Sequence, residues 1–191
     1  KVWDSRDAIE KLLTWDNIDS SACDKLFSRD LFKQLRFPVG KYNEDVYIMT
    51  QIIHQAEKIV HIGDSKYYYF HRPDSITTEK FSEKKLDLLE ANQKEVDLVN
   101  EHYPELVQKA ESFKLKGLIY LSSLLQNKEC KKGFKSSYKF IRKELCNNLF
   151  RVIFNRNIEV KKKIITLLMA TMIYAPVRRM HKRFKIILSW K

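Results

Sequence analysis

Residues 36–53, RFPVGKYNEDVYIMTQII, join a proline–glycine loop to the start of an amphipathic helix. Pro38 and Gly40 disfavour a continuous helix across the loop, and Asn43 is a suitable N-cap residue. Apolar residues then recur at helical spacing, so the stretch predicts a helix over 44–56. The apolar positions of this helix are Val46, Met49, Ile53 and Ala56, with Ile52 beside them.

The first two residues of the predicted helix, Glu44 and Asp45, are both acidic. Acids are common in the first turn of a helix, because each complements the positive end of the helix dipole by about 0.3–1 kcal/mol. A carboxylate that directly follows a loop can also act on a ligand that binds there. The local pattern therefore leaves both helix capping and a functional role open for this pair.

Two short strands are predicted after this helix, at residues 58–62 (KIVHI) and 66–72 (KYYYFHR). Both are rich in β-branched and aromatic residues, and a Gly-Asp-Ser turn separates them. The aromatic triple Tyr67–Tyr69 is predicted to pack in a core more than to contact a ligand. Earlier in the chain, hydrophobic spacing predicts short helices at 6–14 and 29–35.

The chain beyond residue 79 lacks a strand pattern and is predicted to be helical. The predicted helices lie near 80–102, 104–126, 133–148, 158–175 and 177–189. Composition changes near residue 80, from mixed to helical, and near residue 150, from balanced to basic. Three regions are therefore predicted, 1–79, 80–150 and 151–191. The predicted fold class is α+β with helix predominating: short helices and a two-strand unit, followed by a helical region.

The chain carries a net charge of +12, and most of it lies near the C-terminal end. Residues 151–191 contain eleven Lys and Arg residues against a single acid, Glu159. So basic a region favours a polyanionic partner, either an anionic lipid surface or nucleic acid. Because no nucleic-acid recognition motif accompanies the charge, nucleic acid is not predicted as a partner. The three cysteines lack metal-ligand spacing and indicate reduced thiols, and no metal ligands are predicted.

Residues 24–46, DKLFSRDLFKQLRFPVGKYNEDV, and residues 56–77, AEKIVHIGDSKYYYFHRPDSIT, contain several motifs in a fixed order. A Lys-Leu-Phe stretch, an Arg-Phe-Pro-x-Gly loop, a Glu-Asp pair, a helix and a Tyr-Tyr-Tyr-x-x-Arg segment follow one another. This order resembles the second half of the catalytic domain of family 2 glycosyltransferases, which have the GT-A fold. The resemblance implies an enzyme that uses a nucleotide-sugar donor and a glycan or lipid-linked acceptor to make bacterial surface polysaccharide.

The resemblance also implies roles for individual residues. Asp45 matches the catalytic base that takes a proton from the acceptor hydroxyl in an inverting reaction, and Glu44 lies beside it as a second catalytic residue. A helix N-terminus suits such a carboxylate, because the dipole favours its ionised form. His71 and Arg72 are expected near the donor diphosphate, where a cation offsets the charge of the leaving nucleotide.

Two further cations, Lys25 and Arg36, are expected as supporting substrate contacts, although ordinary surface or ion-pairing charge fits them equally well. The match departs from the family at Ala22 and Cys23, where members often carry Trp. The βαβ units, nucleotide pocket and Asp-x-Asp metal motif of the family's first half have no counterpart in this sequence. A divalent metal, Mg or Mn, is therefore expected for the full-length enzyme, with its main ligands outside this chain. The chain by itself is expected to be an inactive C-terminal portion.

The C-terminal segment 161–191 has the pattern of a membrane-surface helix. An apolar run from Ile164 to Val177 lies between basic residues and is too short to cross a bilayer. Residues 177–189 then predict a helix with one apolar and one basic face. The predicted membrane-binding residues are Lys161, Lys162, Lys163, Arg178, Arg179, Lys182, Arg183, Lys185 and Trp190.

This pattern predicts a cytoplasmic protein, peripheral on the inner face of the plasma membrane. Two alternatives stay open. The helix at 177–189 could be an ordinary amphipathic helix packed on a protein core. The whole chain could instead be a non-catalytic helical module that binds a membrane or a partner protein.

Overall fold

The structure, a computed structural model, describes residues 1–73, 75–76, 78–126 and 128–171 of the 191-residue chain. It has two compact units, one over residues 1–117 and one from residue 118 onward, and each is described by itself. Helices predominate, and the described residues contain one antiparallel sheet of two strands. The predicted α+β class with helix predominating is confirmed. The three predicted functional regions stay a prediction.

The first unit contains both strands and most of the predicted helices. Its elements are β1 (Val2–Trp3), α1 (Ser5–Thr14), a 3-10 helix (Arg29–Lys33), α2 (Glu44–Gln55), β2 (Ile59–Val60), a 3-10 helix (Glu83–Leu86), α3 (Asp87–His102), a 3-10 helix (Pro104–Leu106) and the start of α4 (Val107–Leu124). The helix predicted at 6–14 is confirmed and begins one residue earlier, those predicted at 44–56, 80–102 and 104–126 are confirmed with shorter bounds, and the one at 29–35 is a 3-10 helix. The two strands pair with Trp3 opposite Ile59.

Helix α2 has a fixed direction because it is buried on two faces. Met49 and Ile53 lie in one apolar cluster, and Ile48 and Ile52 lie in another. The first cluster also contains Ile9, Leu12, Val96, Val99 and Leu106, and the second contains Leu35, Tyr47 and Ala91. Each large apolar side chain buried in this way contributes about 1.5–3 kcal/mol. The start of α2, which carries the two acids, is therefore held by packing on both sides.

The sheet differs from the strands predicted at 58–62 and 66–72. The strand β2 covers only Ile59–Val60, and its partner is β1 at the N-terminal end of the chain. Residues 66–72 have irregular backbone and exposed side chains. The second strand and the predicted burial of Tyr67–Tyr69 are therefore wrong. Aromatic residues favour a strand only where another strand pairs with its backbone groups, and none does so here within the described residues.

The second unit is helical throughout its described part. After the end of α4 it contains α5 (Lys128–Gly133), α6 (Lys135–Asn147), α7 (Leu149–Phe154) and α8 (Val160–Ala170). The helices predicted at 133–148 and 158–175 are confirmed in part, as α6 and α8. The six-residue α7 was not predicted, because it is too short to show a helical period. The helix predicted at 177–189 lies outside the described residues. Along the described part of the chain, no helix combines the length and apolarity that crossing a bilayer requires.

Candidate functional site

Asp45 lies in the first turn of α2, directly after a tightly bent loop. Two residues of this loop have left-handed backbone: Gly40, with φ of 76°, and Asn43, with φ of 57°. Asn43 occupies the N-cap position, as predicted, but its side chain makes no capping hydrogen bond. Instead, an Asp45 carboxylate oxygen accepts a hydrogen bond of 2.8 Å from the Val46 N–H. The neighbouring Glu44 is exposed.

The surroundings of Asp45 make its carboxylate a better proton acceptor. Burial is the largest cause that raises the pKa of Asp45 above its ordinary value, and the Val46 N–H opposes it in part. The nearby charges of Glu44 and Asp19 raise the pKa further. A carboxylate accepts a proton more readily as its pKa rises toward the working pH. The half-buried helix start thus combines a fixed position with increased basicity.

Lys25 lies in a loop whose acids neutralise its charge. Its Nζ donates to the Ser21 carbonyl at 2.6 Å, to Asp24 at 2.7 Å and to Asp19 at 3.3 Å. The same Asp19 raises the pKa of Asp45, so Lys25 and Asp45 share a neighbour. The ion-pairing alternative for Lys25 is the one seen in these contacts. A role in substrate binding stays a prediction.

The other predicted site cations are exposed and make local contacts. Arg36 donates from Nη1 to the adjacent Leu35 carbonyl at 2.6 Å. The ring of His71 packs edge-on against Tyr69, with centroids 4.9 Å apart. Arg72 contributes its backbone carbonyl to a turn, where it accepts from Ser75 and Thr78. None of these described contacts joins His71 or Arg72 to Asp45, so their place at a donor diphosphate stays a prediction.

A group of acids and bases that the sequence did not indicate surrounds the loop before Asp45. We call it the Asp87 cluster, and its members are Lys41, Tyr42, Tyr47, Asp87 and Glu90. The Asp87 carboxylate accepts from the Lys41 Nζ at 3.1 Å and from the Tyr42 N–H at 3.0 Å. The Glu90 carboxylate accepts from the Lys41 Nζ at 2.7 Å and from the Tyr47 hydroxyl at 3.0 Å. These bonds join α3 to both sides of Asp45.

Mutual interaction shifts the titration of this cluster. The hydrogen bond to Glu90 is the largest cause that raises the pKa of Lys41, and the same bond lowers the pKa of Glu90. Burial and the bond to Glu90 raise the pKa of Tyr47 to about 12. Asp87 and Glu90 lie in the first turn of α3, whereas the helix predicted from the sequence begins near residue 80, so in the sequence they look like ordinary acids inside a helix. Only the fold shows what they contact.

The acids near Asp45 do not form a metal site. Nowhere in the described part of the chain do three or more His, Cys, Asp or Glu side chains come together in a way that could hold a metal ion. The described residues therefore provide no set of ligands for the divalent metal that the family resemblance implies.

The predicted membrane-binding residues lie only partly within the described structure. Lys161, Lys162 and Lys163 are in the first turn of α8, where Lys162 pairs with Glu159 at 2.6 Å. The remaining predicted residues, Arg178, Arg179, Lys182, Arg183, Lys185 and Trp190, lie outside the described residues.

Comparison with known proteins shows that part of this chain is related to a glycosyltransferase. In an alignment 111 residues long that covers 54% of the chain, it is 32% identical to Glycosyltransferase GlyA of Streptococcus pneumoniae serotype 4 (strain ATCC BAA-334 / TIGR4). The aligned part spans 16% of the length of that relative. No protein-family model matches the chain, and no solved structure matches it significantly.

Proposed function

We propose that the chain forms the acceptor side of an inverting, nucleotide-sugar-dependent glycosyltransferase of family 2 with the GT-A fold. The position and burial of the Asp45 carboxylate are the observation on which the proposal rests. Its carboxylate is half-buried and held at the start of a helix that is packed on two faces, and burial raises its pKa. The similarity to a glycosyltransferase supports the reaction class.

In the proposed reaction, Asp45 accepts the proton of an acceptor hydroxyl while that oxygen attacks the anomeric carbon of the donor sugar. The new C–O bond forms as the bond to the nucleotide diphosphate breaks, so configuration at the carbon is inverted. Glu44 is exposed beside the base, and its proposed role is to contact the acceptor. Arg72 and His71 would offset the charge that develops on the leaving diphosphate. The acceptor is a growing surface glycan or a lipid-linked sugar.

Sugar transfer by the enzyme that contains this chain tests the role of Asp45. Asp45→Asn is expected to lower turnover by about 10²-fold or more while donor binding stays unchanged, because only the proton acceptor is lost. Asp30→Asn is the matched control, since Asp30 is also an acid in the first turn of a helix and is exposed. Near-normal turnover of Asp45→Asn would leave the residue as a helix-capping acid and refute the proposal.

A second proposal concerns the membrane, and the outward faces of α7 and α8 support it. Phe150 and Phe154 are each 77% exposed and stack with ring centroids 6.5 Å apart. On α8, the residues Val160, Ile164 and Leu167 are exposed on one face, while Thr166, Met169 and Ala170 are buried on the other. Exposed apolar side chains that recur on two neighbouring helices are typical of a binding surface.

The basic residues on and near these two helices favour an anionic partner. Residues 148–171 contain Arg151, Arg156, Lys161, Lys162 and Lys163 against the single acid Glu159. An apolar face flanked by cations fits the anionic inner leaflet of a plasma membrane. We therefore propose that the chain is peripheral on this leaflet, and that α7, α8 and the basic residues up to Trp190 contact lipid.

Binding to vesicles tests this second proposal on the chain itself. With phosphatidylglycerol-containing vesicles, Phe150→Ser/Phe154→Ser is expected to weaken binding at least about tenfold, since each Phe loses over 1 kcal/mol of apolar burial. Leu26→Ser is the matched control, because Leu26 is a fully exposed apolar residue of the first unit. Equal binding of the Phe variant and the wild type, or no binding of the wild type, would refute the proposed surface.

A further inference from the structure

The carboxylate of Asp87 uses both of its oxygens to hold the loop that precedes α2. One oxygen accepts from the Lys41 Nζ at 3.1 Å, and the other accepts from the backbone N–H of Tyr42 at 3.0 Å. The Asp87 side chain is 19% exposed, and hydrogen bonds that are shielded in this way from water are stronger than exposed ones. Its backbone bond fixes the path of the chain three residues before Asp45.

The path of the chain at this point decides where α2 begins. Asn43 has left-handed backbone and makes no side-chain bond to the helix, so it does not by itself hold the helix start in place. The adjacent Tyr42 N–H, bound to Asp87, provides that constraint from outside the loop. Asp87 thereby helps to fix the start of the helix, as the side chain of an N-cap residue does in other helices.

Glu90 supplies the second constraint, from the other side of Asp45. It lies three residues after Asp87 on α3 and accepts from the Tyr47 hydroxyl at 3.0 Å as well as from Lys41. Tyr47 is buried in the first part of α2, two residues after Asp45. The candidate base therefore lies between two positions, Tyr42 and Tyr47, that are both bound to α3.

We infer that Asp87 and Glu90 are positioning residues, which act on sugar transfer by fixing the place and direction of the Asp45 carboxylate. This inference rests on the proposed function, in which Asp45 is the base. Neither residue needs to touch the donor or the acceptor. Their loss should lower turnover through misplacement of Asp45, because a shift of about 1 Å in a catalytic group costs up to about 10²-fold in rate.

The first measurement concerns the chain itself and does not depend on activity. Asp87→Ala removes both accepting oxygens, whereas Asp87→Asn keeps one oxygen that can still accept from the Tyr42 N–H. Amide hydrogen exchange of Tyr42 is therefore expected to become at least about tenfold faster in Asp87→Ala. Asp97→Ala is the matched control: Asp97 is an exposed acid of α3 that accepts from Gln93 at 2.7 Å. Unchanged exchange in Asp87→Ala would overturn the inference.

The second measurement is turnover in the enzyme that contains this chain. Asp87→Ala and Glu90→Gln are each expected to lower kcat about tenfold with donor affinity unchanged, whereas Asp97→Ala is expected to leave it unchanged. Asp87→Glu, which retains the carboxylate, is expected to recover part of the loss. Wild-type turnover in both Asp87→Ala and Glu90→Gln would overturn the inference even if Asp45→Asn were inactive.

A double variant separates positioning from a general structural role. If Asp87 acts through Asp45, then Asp45→Asn/Asp87→Ala turns over no more slowly than Asp45→Asn alone. Two losses that multiply would show that Asp87 affects transfer by another route, and would overturn the inference. Near-normal turnover of Asp45→Asn alone would instead refute the proposed function. In that case the Tyr42 amide exchange still reports whether Asp87 holds the loop.

Discussion

The loop and helix start at 40–47 and the aromatic segment at 66–72 belong to the same sequence resemblance, yet the structure treats them differently. The first is joined to α3 through Asp87 and Glu90, and its helix is packed on two faces. The second is irregular and exposed, and the ring contact between Tyr69 and His71 is local. Sequence motifs of equal clarity can thus have very different structural support.

This difference shows where each motif obtains its order. The helix start needs partners that the chain itself supplies, 46 and 45 residues further on at Asp87. The aromatic segment has strand-forming residues, but a strand needs a second strand beside it, and the described residues provide none there. Of these two motifs, only the first gives its side chains a well-defined place within the described residues.

The largest expected effect comes from removing a core side chain beneath the helix start. Met49 is 1% exposed in α2, so Met49→Ala should lower the free energy of unfolding by about 2–5 kcal/mol through lost burial and an unfilled cavity. Tyr68 in the aromatic segment is 84% exposed, and Tyr68→Ala should change the free energy of unfolding by no more than about 0.5 kcal/mol. Urea unfolding followed by circular dichroism measures both.

Similar losses for the two variants would break the contrast between these regions. They would mean that the aromatic segment is packed in solution, as the sequence alone had predicted. Tyr69 on the same segment, which is 48% exposed, would then show whether the packing extends along it.

Whether a feature of this fold can be predicted from the sequence depends on how far apart in the chain its contacting residues lie. Helix α2 and its acidic start are predictable, because the Pro-Gly loop, the spacing of Met49 and Ile53, and Asn43 are all local signals. The Asp87 cluster is not predictable, since it joins residues more than forty positions apart. The strand at 66–72 was wrongly predicted for the same reason: its propensity is local, but its pairing would be long-range.

The next largest expected effect is a change of stability with pH, and a buried acid causes it. Glu95 of α3 is 3% exposed, accepts from the Thr50 hydroxyl of α2 at 2.8 Å, and burial raises its pKa from 4.5 to about 7. Between these values the folded state keeps a proton that the unfolded state has released. Stability therefore falls as pH rises from 4.5 to about 7, by up to about 3 kcal/mol in total.

Glu95→Gln isolates this contribution, because the amide stays neutral and retains an oxygen for Thr50. The variant is expected to gain stability over the wild type as pH rises through this window, reaching its full advantage near pH 8. Urea unfolding at pH 5, 6, 7 and 8 measures the difference, and Glu101→Gln, an exposed acid on the same helix, is the control. A constant difference between Glu95→Gln and the wild type across these pH values would show that Glu95 titrates normally.

The smallest expected effect compares one substitution at two glycines. Gly40 has φ of 76° and open space around its Cβ position, so Gly40→Ala should cost about 1 kcal/mol through backbone strain alone. Gly63, shortly before the aromatic segment, also has open space but lacks left-handed backbone, so Gly63→Ala should change stability by less than about 0.5 kcal/mol. Both variants remove the same flexibility from the unfolded chain, so the difference in their urea midpoints reports the folded backbone. Equal midpoints would mean that the loop before Asp45 is not held in its left-handed conformation, and that its bonds to Asp87 do not fix the helix start.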